Sequence, residues 1–435
     1  MSNPTPPQRI GFWTCVALVV GNTIGSGIFL LPASLAKFGL NSLIAWLFTA
    51  AGAMTLAVVF SRLSRAYPRA GGPYVYTGEA FGPFPAFIVA WGYWISIWVG
   101  NAAIATGGVS YLTPMFPKLT QIPGATVGLT LGILWLLTFV NCRGIKASGR
   151  VQNVTTVMKV MPLLAIAGFA LFNVTPADFA RNASIPLSLS GVTAAATLTL
   201  WGLLGLESAT IPADKVDDPA RTIPRATLYG TLGTALIYII ACGAVLIILP
   251  TQQLESSTAP FADVARIFWG ERSAQLLAAF AAISAFGCLN GWILLQGELP
   301  SAMAKNGVFP RVFARVSARN TPDVAMIFGS ALVSALILMN SQKSMVDIFT
   351  FMILLSTTAC LVMYTLCSLA LLVLNAQGKM PGAGRSSLAL TLTAVAALIY
   401  SLWTIVGAGF EAVRWGFVLL AAGAPVYWIM RRVNR

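Results

Sequence analysis

Apolar runs, each about as long as a membrane crossing, cover most of the chain and are divided by short polar segments. A transmembrane helix needs about 20 mostly apolar residues. We count twelve such runs, at roughly 11–36, 41–64, 83–113, 123–142, 151–173, 190–212, 226–250, 271–303, 323–341, 346–375, 386–408 and 412–431. The runs are continuous rather than alternating, which predicts helices and not the strands of a barrel. The pattern therefore predicts an all-α polytopic membrane protein with 12 transmembrane helices and both ends on one side.

Composition agrees. Of 435 residues, 57% are hydrophobic and 9% charged, against about 25% charged in soluble domains. So few charges cannot build a water-facing surface, so lipid is the solvent for most of the exterior. The 39 glycines and 24 prolines are spread through the apolar runs, as transmembrane helices tolerate. The N-terminus, MSNPTPPQRI, has no cleavable signal pattern, so the first run is expected to insert directly.

Loop charges set the orientation. Arg62, Arg65 and Arg69, then Arg143, Lys146 and Arg150, then Lys215, Arg221 and Arg225, then Lys305, Arg311, Arg315 and Arg319 all fall on the side shared by the termini. The other side holds only scattered Lys37, Lys118, Arg181, Arg266, Arg272, Lys343 and Arg414. This bias places both termini in the cytoplasm of a bacterial inner membrane. It also accounts for the net charge of +14 as topology signals facing anionic lipid, not as a nucleic-acid surface. The longest loops are about 15–20 residues, so no soluble domain is expected and the chemistry lies within the helices.

The chain has no histidine. This excludes His-based metal sites and Ser–His–Asp chemistry, and no metal or other cofactor is expected. The six cysteines (Cys15, Cys142, Cys242, Cys288, Cys360, Cys367) lie in or at the ends of apolar runs without a CxxC pair, and are expected to be small hydrophobes. The few acids do not pair at helical spacing, so an enzyme is not expected.

Two runs are interrupted at depth. The first contains Val20-Gly21-Asn22-Thr23-Ile24-Gly25-Ser26-Gly27 and the sixth Leu200-Trp201-Gly202-Leu203-Leu204-Gly205-Leu206-Glu207. Glycine costs a helix roughly 1 kcal/mol relative to alanine. Clusters of this kind predict unwound segments, which survive in a membrane only where they line a cavity or are buried in protein. Breaks in runs one and six match a five-helix inverted repeat, and breaks at corresponding places of two halves point to a transporter's binding site. The half-helix after Gly27 would offer free N–H groups to a carboxylate, and free carbonyls near Trp201 and Leu204 would suit an ammonium. The bland alternative is close helix packing at small residues.

Several stretches share an order and spacing with a known group: GNTIGSGIFLLPA (21–33), PRAGGPYVYTGEAFG (68–82), WVGNAAIA (98–105), TLWGLLGLESA (199–209), DDPARTIPRAT (217–227), STAPFADVAR (257–266) and NGVFPRVFARV (306–316). In these the chain resembles the amino acid–polyamine–organocation (APC) superfamily, and within it the basic amino acid/polyamine antiporters such as the arginine–agmatine and putrescine–ornithine exchangers. The resemblance implies a LeuT-like fold in a single transporter domain, with inverted repeats at 11–175 and 190–375 and two further helices at 386–431. It implies a secondary amino acid transporter that exchanges a basic amino acid for its decarboxylated amine or couples to protons.

It also implies site residues. Ser26 and Gly27, with the backbone at Thr23, would hold the substrate carboxylate, the carbonyls of Trp201 and Leu204 its amine, and Asn22 and Ile24 would also belong to the substrate site. Trp292 would lie against the aliphatic part, with Asn101 and the backbone near Ser96 at the distal polar end. Tyr93, Trp201 and Glu207 would form an outer gate, and Tyr74 would help close the inner side. The resemblance further implies a small polar residue on the tenth helix and a tyrosine beyond it. This chain reads Met352-Ile353-Leu354-Leu355-Ser356-Thr357-Thr358 there, with Val362 near the tyrosine's place.

Two charges lie at membrane depth. Lys159 sits within the fifth run, where insertion of a charge costs about 2.5–3.5 kcal/mol, which marks a functional candidate. Relatives carry a lysine at a similar place in lieu of sodium, which implies sodium independence. Lys159 is read either as a proton carrier or as a tie to the first helix, and Glu207 as a gate or a structural acceptor. A neutral amino acid permease or exporter with Lys159 in the sodium position is the alternative, and a non-transporting sensor the remote one. A homodimer is implied only by resemblance.

Overall fold

The computed structural model describes residues 11–69, 71–143, 163–169, 172–182, 185–211, 213, 216–319, 321–380 and 388–433. Every regular element of any length among them is a helix. The principal ones are α1 (Phe12–Thr23), α2 (Ser26–Leu35), α3 (Asn41–Ala66), α4 (Pro73–Phe81), α5 (Pro83–Ser110), α6 (Ala125–Cys142), α7 (Leu189–Trp201), α8 (Pro219–Ile248), α9 (Pro260–Lys305), α10 (Asp323–Met339), α11 (Met345–Ala376), α12 (Leu388–Gly407), α13 (Gly409–Ala421) and α14 (Gly423–Val433).

Nine helical segments among the described residues are long and apolar enough to cross a membrane, with α1–α2 and α13–α14 each running as one segment. Two further apolar helices, α7 and α10, are shorter. The fifth predicted run, 151–173, falls largely outside the described residues. The chain is thus an α-helical, multi-pass membrane protein.

The helices sort by burial. From Ala86 to Ser110, α5 is buried almost all round, including Trp94, Trp98 and Asn101. A helix apolar on every face belongs inside a bundle, and α5 packs chiefly against α11 and α9. Peripheral helices instead expose large apolar side chains, such as Leu47 and Phe48 on α3, Leu136 and Phe139 on α6, and Phe410 and Phe417 on α13. Only a lipid solvent makes such a surface stable.

Two boundaries differ from the sequence pattern. The predicted run 271–303 is the longer arm of α9, which begins at Pro260. Gly270 (φ 78°, ψ −179°) bends it there, in a left-handed region that glycine adopts without strain. The predicted run 190–212 stops being α-helical at Trp201, with turns over 202–207 and a 3-10 segment at Ser208–Thr210.

Candidate functional site

Both glycine clusters are breaks. Ile24 (φ −79°, ψ 94°) and Gly25 (φ −125°, ψ −155°) are extended, so α1 ends and α2 starts afresh one residue later. The first-turn N–H groups of α2 have no preceding turn to bond to. The second break is longer. Gly202, Leu203 and Leu204 donate three residues back, to Thr199, Leu200 and Trp201, and Gly205 takes φ +102°.

The breaks face each other across a narrow central cavity, in which this conformation leaves little free space. Its wall contains Asn22, Thr23, Gly25 and Gly27 from the first break and Trp201, Leu204 and Glu207 from the second. The bundle adds Tyr93, Ser96, Ile97, Gly100 and Ile104 from α5, Cys288 and Trp292 from α9, and Ser356 and Cys360 from α11.

The local chemistry explains the glycines. A Cβ on Gly27 would sit 2.0 Å from the Trp201 ring, and one on Gly25 would sit 2.6 Å from Cys288 Sγ. Trp201 therefore lies directly on the start of α2, and it meets Phe349 edge-on at 5.5 Å. The end of α1 is anchored by side chains. The Tyr238 hydroxyl donates to the Thr23 carbonyl at 2.6 Å and Trp292 Nε1 to the Asn22 carbonyl at 3.3 Å. These bonds replace the helical partners that the break removed. The Thr23 hydroxyl turns away from the cavity and donates to the Val19 carbonyl at 2.8 Å.

Glu207 is fully buried. The Tyr364 hydroxyl donates to its Oε2 at 2.8 Å, and Oε1 lies near the Tyr93 hydroxyl without a well-formed hydrogen bond. Ser96 and Ser356 pair through their hydroxyls at 3.1 Å, and Ser356 also donates to the Ser96 carbonyl at 2.8 Å.

The expected outer gate of Tyr93, Trp201 and Glu207 is divided in the structure. Trp201 and Phe349 stand on the side where Lys37, Glu255 and Asp347 line an open cleft. Tyr93 and Glu207 stand on the side of the basic loops. Tyr93 separates the central cavity from a second one, lined by Gly71, Tyr74, Ile97, Glu298 and Ala302 among others. The cause is direction along the chain: the turns that follow α7 carry the chain from Trp201 along the cavity wall to Glu207. Tyr74 lies on α4 beside the spans, where burial pushes its hydroxyl above the ordinary value of 10.

Of the remaining expected residues, Ile24 is buried outside the cavity wall, and Asn101 donates to Gln296 Oε1 at 2.8 Å instead of lining it. The backbone of Ser26 opens α2, and Lys159 lies outside the described residues. Val362 is not part of the cavity wall, but two places on Tyr364 reaches Glu207, and the small polar Ser356 faces the cavity. The sequence did signal both: Phe349, Ser356, Cys360 and Tyr364 recur at seven- and four-residue steps, one face of a helix.

A family model described as amino acid permease matches residues 10–413. The chain belongs to the amino acid permease family. Similar permeases include the putrescine transporter PotE of Escherichia coli strain K12, which is 30% identical over 426 residues, 97% of this chain and 96% of that one. PotE of Haemophilus influenzae is 30% identical over 423 residues, again 97% and 96% of the two chains. The cadaverine/lysine antiporter of E. coli K12 is 34% identical over 338 residues, 76% of this chain and 75% of its own.

Proposed function

We propose that this permease is a basic amino acid/polyamine antiporter of the inner membrane that exchanges an amino acid for its decarboxylated amine by alternating access. One observation carries this reading. Two interrupted helices meet across a buried cavity, with the N-terminal end of α2 on one wall and the Glu207 carboxylate on the other. The first suits an anionic group and the second a cationic one, as an amino acid with a cationic tail requires. The names of the similar chains support the same cargo class.

The fold we propose around this site is the twelve-helix, LeuT-like arrangement, with repeats at 11–175 and 190–375 and both termini cytoplasmic. Trp201 then closes the outer side, and Tyr93 and Tyr74 the inner side. Thr23, Gly27, Trp201, Leu204 and Trp292 hold the cargo. Lys159 in the sodium position makes transport independent of sodium.

Reconstituted vesicles test the function. Vesicles preloaded with putrescine or cadaverine should take up labelled lysine or ornithine at least tenfold faster than empty ones, with no requirement for sodium. Uptake of neutral amino acids without such a preference would instead select the neutral permease. If no amino acid or diamine of a broad panel moved, transport of this class would be excluded.

A further inference from the structure

Gln296 is fully buried on α9, behind the cavity wall rather than in it. Its Nε2 donates to the Met326 carbonyl at 3.2 Å and to Ser330 Oγ at 2.9 Å. A carbonyl oxygen can only accept, so this contact fixes which way round the Gln296 amide lies. The hydroxyls continue in one direction. Ser330 pairs with Thr138 at 2.7 Å, and Thr138 donates to the Leu134 carbonyl at 2.8 Å. The run of donors thus ends on an acceptor and cannot be reversed.

Gln296 Oε1 is consequently turned towards α5, where Asn101 Nδ2 donates to it at 2.8 Å. An oxygen can be met only by a donor, so Asn101 must present its NH2 group there. That leaves Asn101 Oδ1, which is buried and has no hydrogen-bond partner among the described residues. The slot that holds Gln296 is closely cut, since a Cβ on Gly329 would come within 2.9 Å of its Cδ. Asn101 directly follows Gly100 and precedes Ile104 by three, and both of those line the cavity.

We propose that Gln296 is a specificity-determining positioning residue: it locks the Asn101 amide so that its oxygen, not its NH2 group, is left for cargo. An unpaired buried acceptor beside the cavity favours cargo whose far end only donates, as an ammonium does, and disfavours an amide or carboxylate there. This inference rests on the antiporter reading above, in which Glu207 meets one ammonium of a diamine, and adds the group that meets the other.

The test compares two ligands that differ only in that ammonium, putrescine and butylamine, bound to purified full-length protein by calorimetry. The wild type should bind putrescine more tightly. In Gln296→Leu the putrescine Kd should rise about tenfold, the size of one lost hydrogen bond to a charged group, while the butylamine Kd stays within about twofold. Asn101→Ala should do the same, and the double variant should be no worse than Asn101→Ala alone, because Gln296 acts through Asn101. Ser330→Ala, which removes one anchor and keeps the other, should raise the putrescine Kd about threefold and serves if Gln296→Leu does not fold. Equal loss for both ligands, additivity in the double variant, or no change would overturn the role of Gln296 while leaving the antiporter standing. A wild type that bound no diamine or basic amino acid would instead bring down the antiporter reading itself.

Discussion

The two helix breaks are built differently, and the difference sorts the chemistry of the site. The first is a two-residue interruption, Ile24–Gly25, after which a new helix begins at once. It yields a row of N–H groups, and the carbonyls it leaves at Asn22 and Thr23 are bonded by Trp292 and Tyr238. The second is a run of turns from Gly202 to Glu207, with Gly205 in a left-handed conformation. The Trp201 carbonyl, expected to be free for an ammonium, instead accepts from the Leu204 N–H at 3.2 Å, and what the break delivers into the bundle is a carboxylate, held by Tyr364. One break is a donor end and the other an acceptor end. In the proposed function, that asymmetry is what would distinguish the two ends of a polar cargo.

The comparison can be broken most severely at the first break. Gly27→Ala would drive a methyl group into the Trp201 ring, 2.0 Å away. Overpacking of this kind costs about 1–3 kcal/mol, and it falls on the cargo wall. Vesicle exchange should drop roughly a hundredfold while the protein still reaches the membrane in normal amount. Near-normal exchange would mean that the Gly27–Trp201 contact is not part of the path.

Glu207→Gln sharpens the acceptor side. The amide oxygen can still accept from Tyr364, but the negative charge is gone. Diamine exchange should fall about thirtyfold, matching the loss of about 2 kcal/mol for an interaction with a charged partner. Unchanged diamine exchange would place the cation elsewhere. Gly205→Ala forces a side chain into φ +102°, a strain of about 1–3 kcal/mol. Exchange should fall about tenfold, for diamines and amino acids alike. The smallest effect is expected from Ser356→Ala. It removes hydrogen bonds to Ser96 worth about 0.5–1.5 kcal/mol, and the KM should rise about threefold with little change in maximal rate.

Much of this was legible in the sequence because the membrane leaves so few options. Continuous apolar runs mark helices, and glycines beside Asn22, Thr23 and Glu207 mark the two places where helices cannot continue. Direction was harder to read. Tyr93, Trp201 and Glu207 look like one cluster by residue type, yet Glu207 stands six positions beyond Trp201. That stretch of turns carries Glu207 to the opposite end of the cavity. On α11, Ser356 and Tyr364 are scattered among apolar residues and emerge as a face only when read at helical spacing. Asn101 lies on the face of α5 next to the cavity, but nothing local announces that Gln296, nearly 200 positions away, holds its amide. Such pairings come from packing between helices, which a linear pattern does not record.

The most direct test is a cryo-electron microscopy map of the full-length protein in lipid nanodiscs with saturating lysine. Density for the ligand should lie between the breaks, its carboxylate at the N–H groups of Gly25–Gly27 and its cationic tail reaching towards Glu207. Lysine density found only in the outer cleft beside Lys37 and Asp347, with the central cavity empty, would contradict the account. So would an uninterrupted helix through Ile24 and Gly25.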